Sequence, residues 1–196
     1  MMMSDERIPL SRPRINRFAF LREIISTIVF FFAVFTLLQL TMPRSVVHGS
    51  SMMPNFTEGE YLVISRVHYL MGDPKRGDVV VFNVPGANPD DASLIKRVVG
   101  LPDETVQIID TIVHIDGQPL DEPYILEPCT AFRCPDSEAP VTLGANEYFL
   151  LGDNRNVSDD SRRFGAVSRD HIIGEVLFRY WPLNQFGAVQ PHRFGD

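Results

Sequence analysis

Three polar segments of the chain contain residue types that can do covalent chemistry. Residues 49–54 are Gly-Ser-Ser-Met-Met-Pro, residues 95–100 place a lysine among apolar residues, and residues 152–165 form a dense polar stretch. A serine hydroxyl becomes a useful nucleophile only when a neighbouring group takes its proton, and a neutral lysine amine can be that group. Taken singly, each segment also fits a plainer interpretation: a turn serine, a lysine that points to solvent, and a solvated loop.

The sequence lacks the motifs of several other chemistries. It has no His-Glu-x-x-His metal motif, no glycine-rich phosphate loop and no Gly-x-Ser-x-Gly nucleophile elbow. The five histidines are scattered, and although His48 lies three residues from Ser51, closeness in sequence is not the spatial arrangement of a catalytic triad. We therefore expect neither a metal nor a cofactor. The net charge of −7 also argues against a nucleic-acid-binding surface.

A run of twenty uncharged residues, 24–43, precedes the first of these segments. At about 1.5 Å per residue, a helix of this length matches the roughly 30 Å hydrocarbon core of a bilayer. A buried helix of a soluble protein would usually carry charges on one face. A signal peptide has a shorter apolar region, of about 7–15 residues, followed by a small-residue cleavage site. We therefore predict an uncleaved transmembrane helix over 24–43.

The charges that flank this helix predict its orientation. Residues 1–23 contain five arginines and carry a net charge of +2, whereas residues 44–196 carry −9. Only Arg44 lies within about twenty residues after the span, so the positive-inside rule leaves the N-terminus in the cytoplasm. The sequence thus predicts a cytoplasmic tail over 1–23 and an extracytoplasmic domain over 44–196.

The exported domain has the pattern of an all-β protein. Short runs rich in Val, Ile, Phe and Tyr predict strands over 60–68, 78–84, 94–101, 105–109, 111–115, 147–151 and 175–181. Asp116-Gly117 between two apolar runs predicts a tight hairpin, and residues 168–173 predict one capped helical turn. Lys96 would therefore interrupt a strand, and the polar stretch 152–165 would be a loop that follows one.

Both cysteines fall in a proline-rich, acidic stretch, 121–144, that we expect to decorate the sheet. Cys129 and Cys134 lack the second pair of Cys or His residues that a zinc site would need. An exported domain permits a local disulfide between them, and two free thiols are the alternative.

Together, and in this order, the segments resemble the bacterial type I signal peptidases, the membrane-bound Ser-Lys proteases that remove signal peptides. Residues 51–54 resemble the nucleophile box, residues 76–82 the Gly-Asp strand, residues 96–100 the box with the catalytic lysine, and residues 152–165 the most specific box. The resemblance implies a mostly β fold in which the transmembrane helix precedes a coiled, largely antiparallel sheet. It also implies a smaller inserted β and loop subdomain at about 103–145.

The same resemblance implies the roles of the polar residues. Ser51 would be the nucleophile, Lys96 the general base, and Ser158 the hydroxyl that hydrogen-bonds and orients the Lys96 amine. Asp160 and Arg162 would form an ion pair that holds the loop. An exposed lysine titrates near 10.4, whereas a base that works near neutrality needs a pKa of about 7–8. Burial among apolar neighbours can lower the lysine pKa by that amount.

The oxyanion of the reaction needs hydrogen-bond donors, and the Ser51 backbone N–H is the expected first one. Part of the family adds a serine hydroxyl two residues before the nucleophile, where this chain has Gly49. The second donor therefore stays open between the Gly49 backbone or a water beside it and Ser50, and Met52 adds apolar surroundings for the base. Asp103 stands where the family has a glycine, which can alter a turn that needs positive φ.

A protease that selects alanine over larger side chains needs shallow apolar pockets. The segments that flank Ser51 and Lys96 would form them, with walls from Val47, Phe56, Leu94 and Ile95. Ordinary core packing is the alternative for these four residues. The substrate would lie extended and add a strand beside the site.

The resemblance implies a serine endopeptidase of the bacterial cytoplasmic membrane that cleaves exported preproteins after Ala-x-Ala-type small residues. Its partners would be signal peptides and the lipid bilayer, with no nucleic acid, and we expect a monomer. The aromatic residues of 178–186 fit either a membrane interface or a final core strand, and for Phe178 we favour the core. Two other functions stay open: an organellar processing peptidase of the same superfamily, and a non-enzymatic membrane-tethered β-domain that binds a partner.

Overall fold

The computed structural model describes residues 17–88, 93–137 and 139–194. Two compact units make up the chain, Met1–Leu40 and Thr41–Asp196. Most of the predicted tail 1–23 lies outside the described residues. The predicted domain bounds and the side of the membrane on which each part lies therefore remain predictions.

The described part of the first unit is one long helix, α1, Arg17–Thr41, whose last residue is the first of the second unit. Its segment Phe18–Thr41 has a mean hydropathy of 2.2, and none of its most apolar window is buried, so it is long and apolar enough to cross a membrane. The helix begins before the predicted span 24–43 and ends at Thr41. It ends there because Pro43 disfavours a helical conformation at Met42.

Within the described residues, the second unit contains twelve strands, one short α-helix and three 3-10 turns. The strands are β1 (Arg44–Val46), β2 (Tyr61–Ser65), β3 (Val79–Phe82), β4 (Leu94–Gly100), β5 (Thr105–Ile109), β6 (Ile112–Ile115), β7 (Gln118–Pro119), β8 (Val141–Thr142), β9 (Glu147–Leu151), β10 (Val167–Ser168), β11 (Ile172–Trp181) and β12 (Gly187–Ala188). Eight of them form one antiparallel sheet in the order β1-β2-β11-β3-β4-β9-β10, with β12 paired to β11.

The main sheet is curled because its strands are bulged. The ten residues of β11 pair with β2, β3 and β12, and the register shifts against both β2 and β3. Bulges of this kind bend a strand and increase its twist. The prediction of a mostly β, antiparallel fold after one apolar helix is confirmed.

A smaller sheet of four strands, in the order β7-β6-β5-β8, occupies much of the stretch where an inserted subdomain is predicted. The predicted hairpin at Asp116-Gly117 joins β6 to β7, with φ of +49° and +77°. A second tight turn, at Asp110-Thr111, has φ of +49° and +67°. It contains no glycine from which the sequence would predict it. Beside this sheet, Cys129 and Cys134 form a disulfide with a Cα–Cα distance of 5.9 Å.

The central strand β3 is buried on both faces. Val79 and Val81 belong to one cluster of buried apolar side chains, and Val80 and Phe82 to another. Successive side chains of a strand point to opposite faces, which explains this division. Apolar clusters on both sides of β3 also shield the neighbouring strand β4 from water.

The polar stretch 152–165 contains a short helix, α2 (Ser161–Phe164), that the sequence pattern does not predict. The Asp160 side chain caps it by accepting a hydrogen bond from the Arg162 backbone N–H. The helical turn predicted at 168–173 is a 3-10 turn at Arg169–His171, and Ser168 precedes it without a capping bond from its side chain.

Candidate active site

Lys96 is enclosed by its position on β4. It pairs with Val80 of β3 in antiparallel register, next to the pair formed by Ile95 and Val81. Only 2% of Lys96 is exposed. Its amine therefore lies among protein atoms rather than in water.

Ser51 lies in the irregular segment between β1 and β2. The Lys96 Nζ donates a hydrogen bond of 2.7 Å to Ser51 Oγ and a second, of 2.8 Å, to the Ile95 carbonyl. When Lys96 loses its proton, the first contact can reverse, so that the serine hydroxyl donates to the amine. The fold thus brings together two residues that are 45 positions apart in the chain.

Burial lowers the pKa of Lys96 from its ordinary value of 10.5 to about 8. The carboxylates of Asp160, Asp159 and Asp153 oppose this change because they favour the protonated amine, and the Arg162 guanidinium adds to it. Loss of hydration is the largest of these effects. A useful fraction of Lys96 is therefore neutral near physiological pH and can accept a proton.

The polar loop, residues 152–165, packs against the serine segment. The Asn154 backbone N–H donates to the Ser51 carbonyl at 3.0 Å, and the Asn154 side-chain amide donates to the Ser50 carbonyl at 3.2 Å. A Cβ added to Gly152 would lie 2.6 Å from the Ser51 carbonyl oxygen and 2.2 Å from Ser158 Oγ. Position 152 therefore requires glycine, and backbone contacts hold the serine segment against the loop.

Ser158 does not make the hydrogen bond that the resemblance implies. Its Oγ is buried beside Gly152 and has no hydrogen-bond partner among the described residues. The amine of Lys96 is held by the Ile95 carbonyl instead, which lies on its own strand one residue away. The role of Ser158 in orienting Lys96 therefore remains a prediction, since the structure shows no hydrogen bond between the two side chains.

Asp160 and Arg162 form an ion pair within the polar loop. The fully buried Asp160 carboxylate accepts hydrogen bonds from Arg162 Nε at 2.7 Å and Nη2 at 2.6 Å. It also accepts a bond of 3.0 Å from the Gly152 N–H. The Asp160 carboxylate therefore connects the first residue of the loop, Gly152, to helix α2 near its end.

A second buried ion pair supports the loop, and sequence reasoning does not identify it. Arg97 donates to both Asp153 oxygens, at 2.8 and 2.6 Å, and to the Gly77 carbonyl at 2.8 Å. The ring of Tyr124 covers the guanidinium at 4.3 Å, and the Asn55 amide donates to Asp153 at 2.8 Å. Two features of the sequence could have indicated this ion pair: an arginine inside an apolar strand, and an aspartate two residues after the end of the buried strand β9.

A pocket of about 90 Å³ opens beside Ser51 and Lys96. Three of the four predicted pocket residues line it, namely Val47, Leu94 and Ile95. Phe56 lies elsewhere, because its ring is buried in the core below the guanidinium of Arg179, at 5.0 Å. The exposed His48 also lines the pocket, although the sequence indicates only its closeness to Ser51 and His48 is not among the predicted pocket residues.

The residues next to Ser51 differ in their surroundings. Gly49 adopts a φ of +79°, which favours glycine, and among the described residues, its two chain neighbours aside, no atom lies within 4 Å of the place where a Cβ would stand. The Ser50 carbonyl accepts a bond of 3.1 Å from the Met53 N–H. Met52 is buried in the same apolar cluster as Val47 and Phe56.

The aromatic residues at the end of β11 divide between core and surface. Phe178 is partly buried and meets Phe186 edge-on at 4.7 Å. Trp181 and Phe186 are 50% and 60% exposed. Contact of these two side chains with a membrane remains a prediction.

Known proteins are similar in sequence to most of this chain. It matches the family model described as signal peptidase, peptidase S26, over residues 20–181. A signal peptidase I of Leptolyngbya laminosa is 40% identical over 149 residues, which cover 73% of this chain and 70% of that protein. A signal peptidase IB of Staphylococcus aureus (strain COL) is 33% identical over 179 residues, which cover 85% and 92% of the two chains.

Among solved structures, a signal peptidase I from Enterococcus faecalis V583 is 34% identical, with a TM-score of 0.45 over 54% of this chain and 97% of that chain. The family match over most of the chain and the two relatives confirm the resemblance that the four ordered boxes indicate. The chain therefore belongs to the peptidase S26 family of signal peptidases and is a serine peptidase.

Proposed function

We propose that the protein is a membrane-anchored endopeptidase that removes signal peptides from exported preproteins with a Ser51–Lys96 dyad. The observation that carries this proposal is the 2.7 Å contact between Lys96 Nζ and Ser51 Oγ, made by a buried lysine whose pKa is lowered to about 8. The relatives named signal peptidase I support the same substrate class.

The proposed reaction begins with acylation of the serine. The neutral Lys96 amine takes the hydroxyl proton as Ser51 Oγ bonds to the scissile carbonyl carbon. The tetrahedral intermediate collapses when the Lys96 ammonium gives this proton to the departing amine, which becomes the N-terminus of the mature protein. The signal peptide stays attached to Ser51 as an ester.

Hydrolysis of the ester repeats the same proton transfers. Lys96 takes a proton from a water molecule as the water oxygen attacks the ester carbonyl. The proton returns to Ser51 Oγ as the C–O bond breaks, and the signal peptide leaves as a carboxylic acid. Lys96 is thus the group that moves protons in both halves of the reaction.

The negative oxygen of each intermediate would be stabilised by the Ser51 backbone N–H. Two residues before Ser51, Gly49 adopts a positive φ, and the described residues leave the place of a side chain at this position open. A second donor would come from the backbone or a water beside Gly49, or from the Ser50 hydroxyl.

The signal-peptide residues before the cleaved bond would lie extended between β1 and the beginning of β4. β1 is the edge of the main sheet, and β9 pairs with β4 only from Arg97 onward. Both strands therefore offer unpaired backbone edges to which a substrate strand can be added. The pocket of about 90 Å³ beside Ser51, walled by Val47, Leu94 and Ile95, is small and apolar, which favours alanine over larger side chains.

Helix α1 would anchor the enzyme in the bacterial cytoplasmic membrane. The five arginines that precede the apolar run favour a cytoplasmic N-terminus, which leaves the peptidase domain outside the cytoplasm. Labelling of single cysteines placed before and after α1, with a reagent that does not cross the membrane, tests this orientation.

The proposed dyad is tested with the full chain in detergent micelles and a preprotein whose signal peptide ends in Ala-x-Ala. We expect Ser51→Ala and Lys96→Ala each to lower kcat/KM by about 10⁴-fold or more. Lys75→Ala is the matched control, because Lys75 is exposed and is the other lysine of the sequence. Cleavage at the parental rate by the Ser51 or Lys96 variant would refute the proposed mechanism.

A further inference from the structure

The disulfide loop, residues 129–134, packs directly against the ion pair of the polar loop. A single nitrogen, Arg162 Nη1, lies 2.9 Å from Cys134 Sγ and 3.5 Å from Cys129 Sγ. The same nitrogen donates to the Arg133 carbonyl at 3.3 Å and to the Arg155 carbonyl at 2.9 Å. The guanidinium is therefore held on one side by the disulfide loop and on the other by the polar loop.

Hydrogen bonds of the Asn156 side chain join the polar loop to the disulfide loop and to Pro128, which directly precedes it. The Asn156 side chain accepts a bond of 2.9 Å from the Thr130 N–H and donates one of 3.2 Å to the Pro128 carbonyl. Within the loop, the Cys134 N–H donates to the Thr130 carbonyl at 2.8 Å. Both sulfurs are buried in the apolar cluster beside the small sheet. These contacts fix the position of the acceptors that face Arg162.

The remaining nitrogens of Arg162 face the carboxylate that most strongly affects the base. Arg162 Nε and Nη2 donate to the fully buried Asp160. Among charged groups near Lys96, the carboxylates of Asp160, Asp159 and Asp153 raise the lysine pKa, and the Arg162 guanidinium lowers it. Displacement of the guanidinium would remove this opposing charge, so that the Asp160 carboxylate would favour the protonated amine more strongly.

We infer that the Cys129–Cys134 loop is a positioning element of the active site: it holds Arg162 against Asp160, so that the guanidinium offsets part of the stabilisation that this carboxylate gives to protonated Lys96. The inference rests on the proposed function of Lys96 as the base. The loop acts through Arg162 and makes none of the proposed contacts with substrate. Its effect therefore falls on the fraction of neutral lysine and not on the binding pocket.

The test compares the parent with Cys129→Ala/Cys134→Ala, both as full chains in detergent micelles, by measuring kcat/KM as a function of pH. We expect the midpoint of the acidic limb to move upward from about 8 by about 0.5–1 pH unit. Activity near pH 7 would then fall about 3–10-fold, whereas activity well above the midpoint would approach that of the parent. Phe132→Ala, which changes an exposed side chain of the same loop, is expected to keep the parental profile.

A loop that serves stability alone would lower the rate by the same factor at every pH, and that result would overturn the inference. Arg162→Gln is expected to move the midpoint in the same direction, and adding the two alanines to it should move it no further. An Arg162→Gln profile with the parental midpoint overturns the inference even if the double alanine variant fails to fold. Full activity of Lys96→Ala would instead refute the proposed function.

Discussion

Replacing Lys96 by methionine is expected to inactivate the enzyme and also to stabilise its fold. Burial holds the pKa of Lys96 at about 8 in the folded protein, against 10.5 for an ordinary lysine. At about 1.4 kcal/mol per pKa unit, the protonated lysine costs the folded state about 3 kcal/mol. Methionine is unbranched and carries no charge. Loss of the two hydrogen bonds, to Ser51 and to the Ile95 carbonyl, offsets about 2 kcal/mol at about 1 kcal/mol each, which leaves a net gain of about 1 kcal/mol.

The stability difference between the two proteins has a defined dependence on pH. Below about pH 8 the lysine is protonated in both the folded and the unfolded state, so the full cost of burying the charge is present. Between about pH 8 and 10.5 the folded state has lost the proton and the unfolded state retains it. The wild-type protein therefore gains stability relative to the variant as the pH rises through this window. Above about pH 10.5 the lysine is neutral in both states, and the free-energy cost of burying its charge is absent.

The measurement is urea unfolding of the full-length proteins in micelles, followed by far-ultraviolet circular dichroism at several pH values from neutral to about 10.5. Other titrating groups are shared by both proteins, so their effects cancel in the difference. Lys75→Met controls for the loss of an exposed lysine and is expected to change stability little and equally at every pH. If Lys96→Met were less stable than the wild type at neutral pH, or if the difference did not shrink as the pH rose, the argument from burial would be wrong.

Three further measurements test the base, the buried ion pair of Arg97 and the turn at Asp103. First, kcat/KM is expected to rise about tenfold per pH unit below about pH 8 and then to level off, because only neutral Lys96 can act as the base; a limb centred well below neutrality would contradict this. Second, Asp153→Asn should destabilise the fold by about 3–5 kcal/mol, since buried Arg97 loses its counter-charge; an unchanged urea midpoint would show the pair to be dispensable. Third, Asp103 has a φ of +65°, so Asp103→Gly is expected to stabilise the fold by about 0.5–1 kcal/mol, measured as a higher Tm, and a lower Tm would count against strain at this turn.

Much of the fold was predictable because its signals are local. The predicted strands 105–109 and 147–151 coincide with β5 and β9, and the strand around Lys96 differs from β4 by one residue. Alternation of apolar residues and the turn residues at Asp116-Gly117 carry this information within a few neighbouring positions. The apolar run that forms most of α1 is likewise evident from composition.

Elements that lack a local apolar pattern or characteristic turn residues were not predicted. β1, β10 and β12 have two or three residues each, too few for a periodic pattern, and exist because longer strands pair with them. The turn at Asp110-Thr111 adopts positive φ without glycine. Helix α2 depends on a cap from Asp160, whose side chain is also committed to Arg162 and Gly152.

The sequence by itself determined which residue types were available for chemistry: a serine after the apolar run, a lysine inside a strand and a polar loop after another strand. Only the tertiary structure decided that Ser51 and Lys96 lie 2.7 Å apart, and that Arg97 pairs with Asp153 across 56 positions of the chain. The lowered pKa of Lys96 is also a property of the packed molecule, as is the Ser158 hydroxyl, which has no hydrogen-bond partner among the described residues. The physical reason is that hydration, distance and charge depend on which distant segments pack together, and no local pattern records that packing.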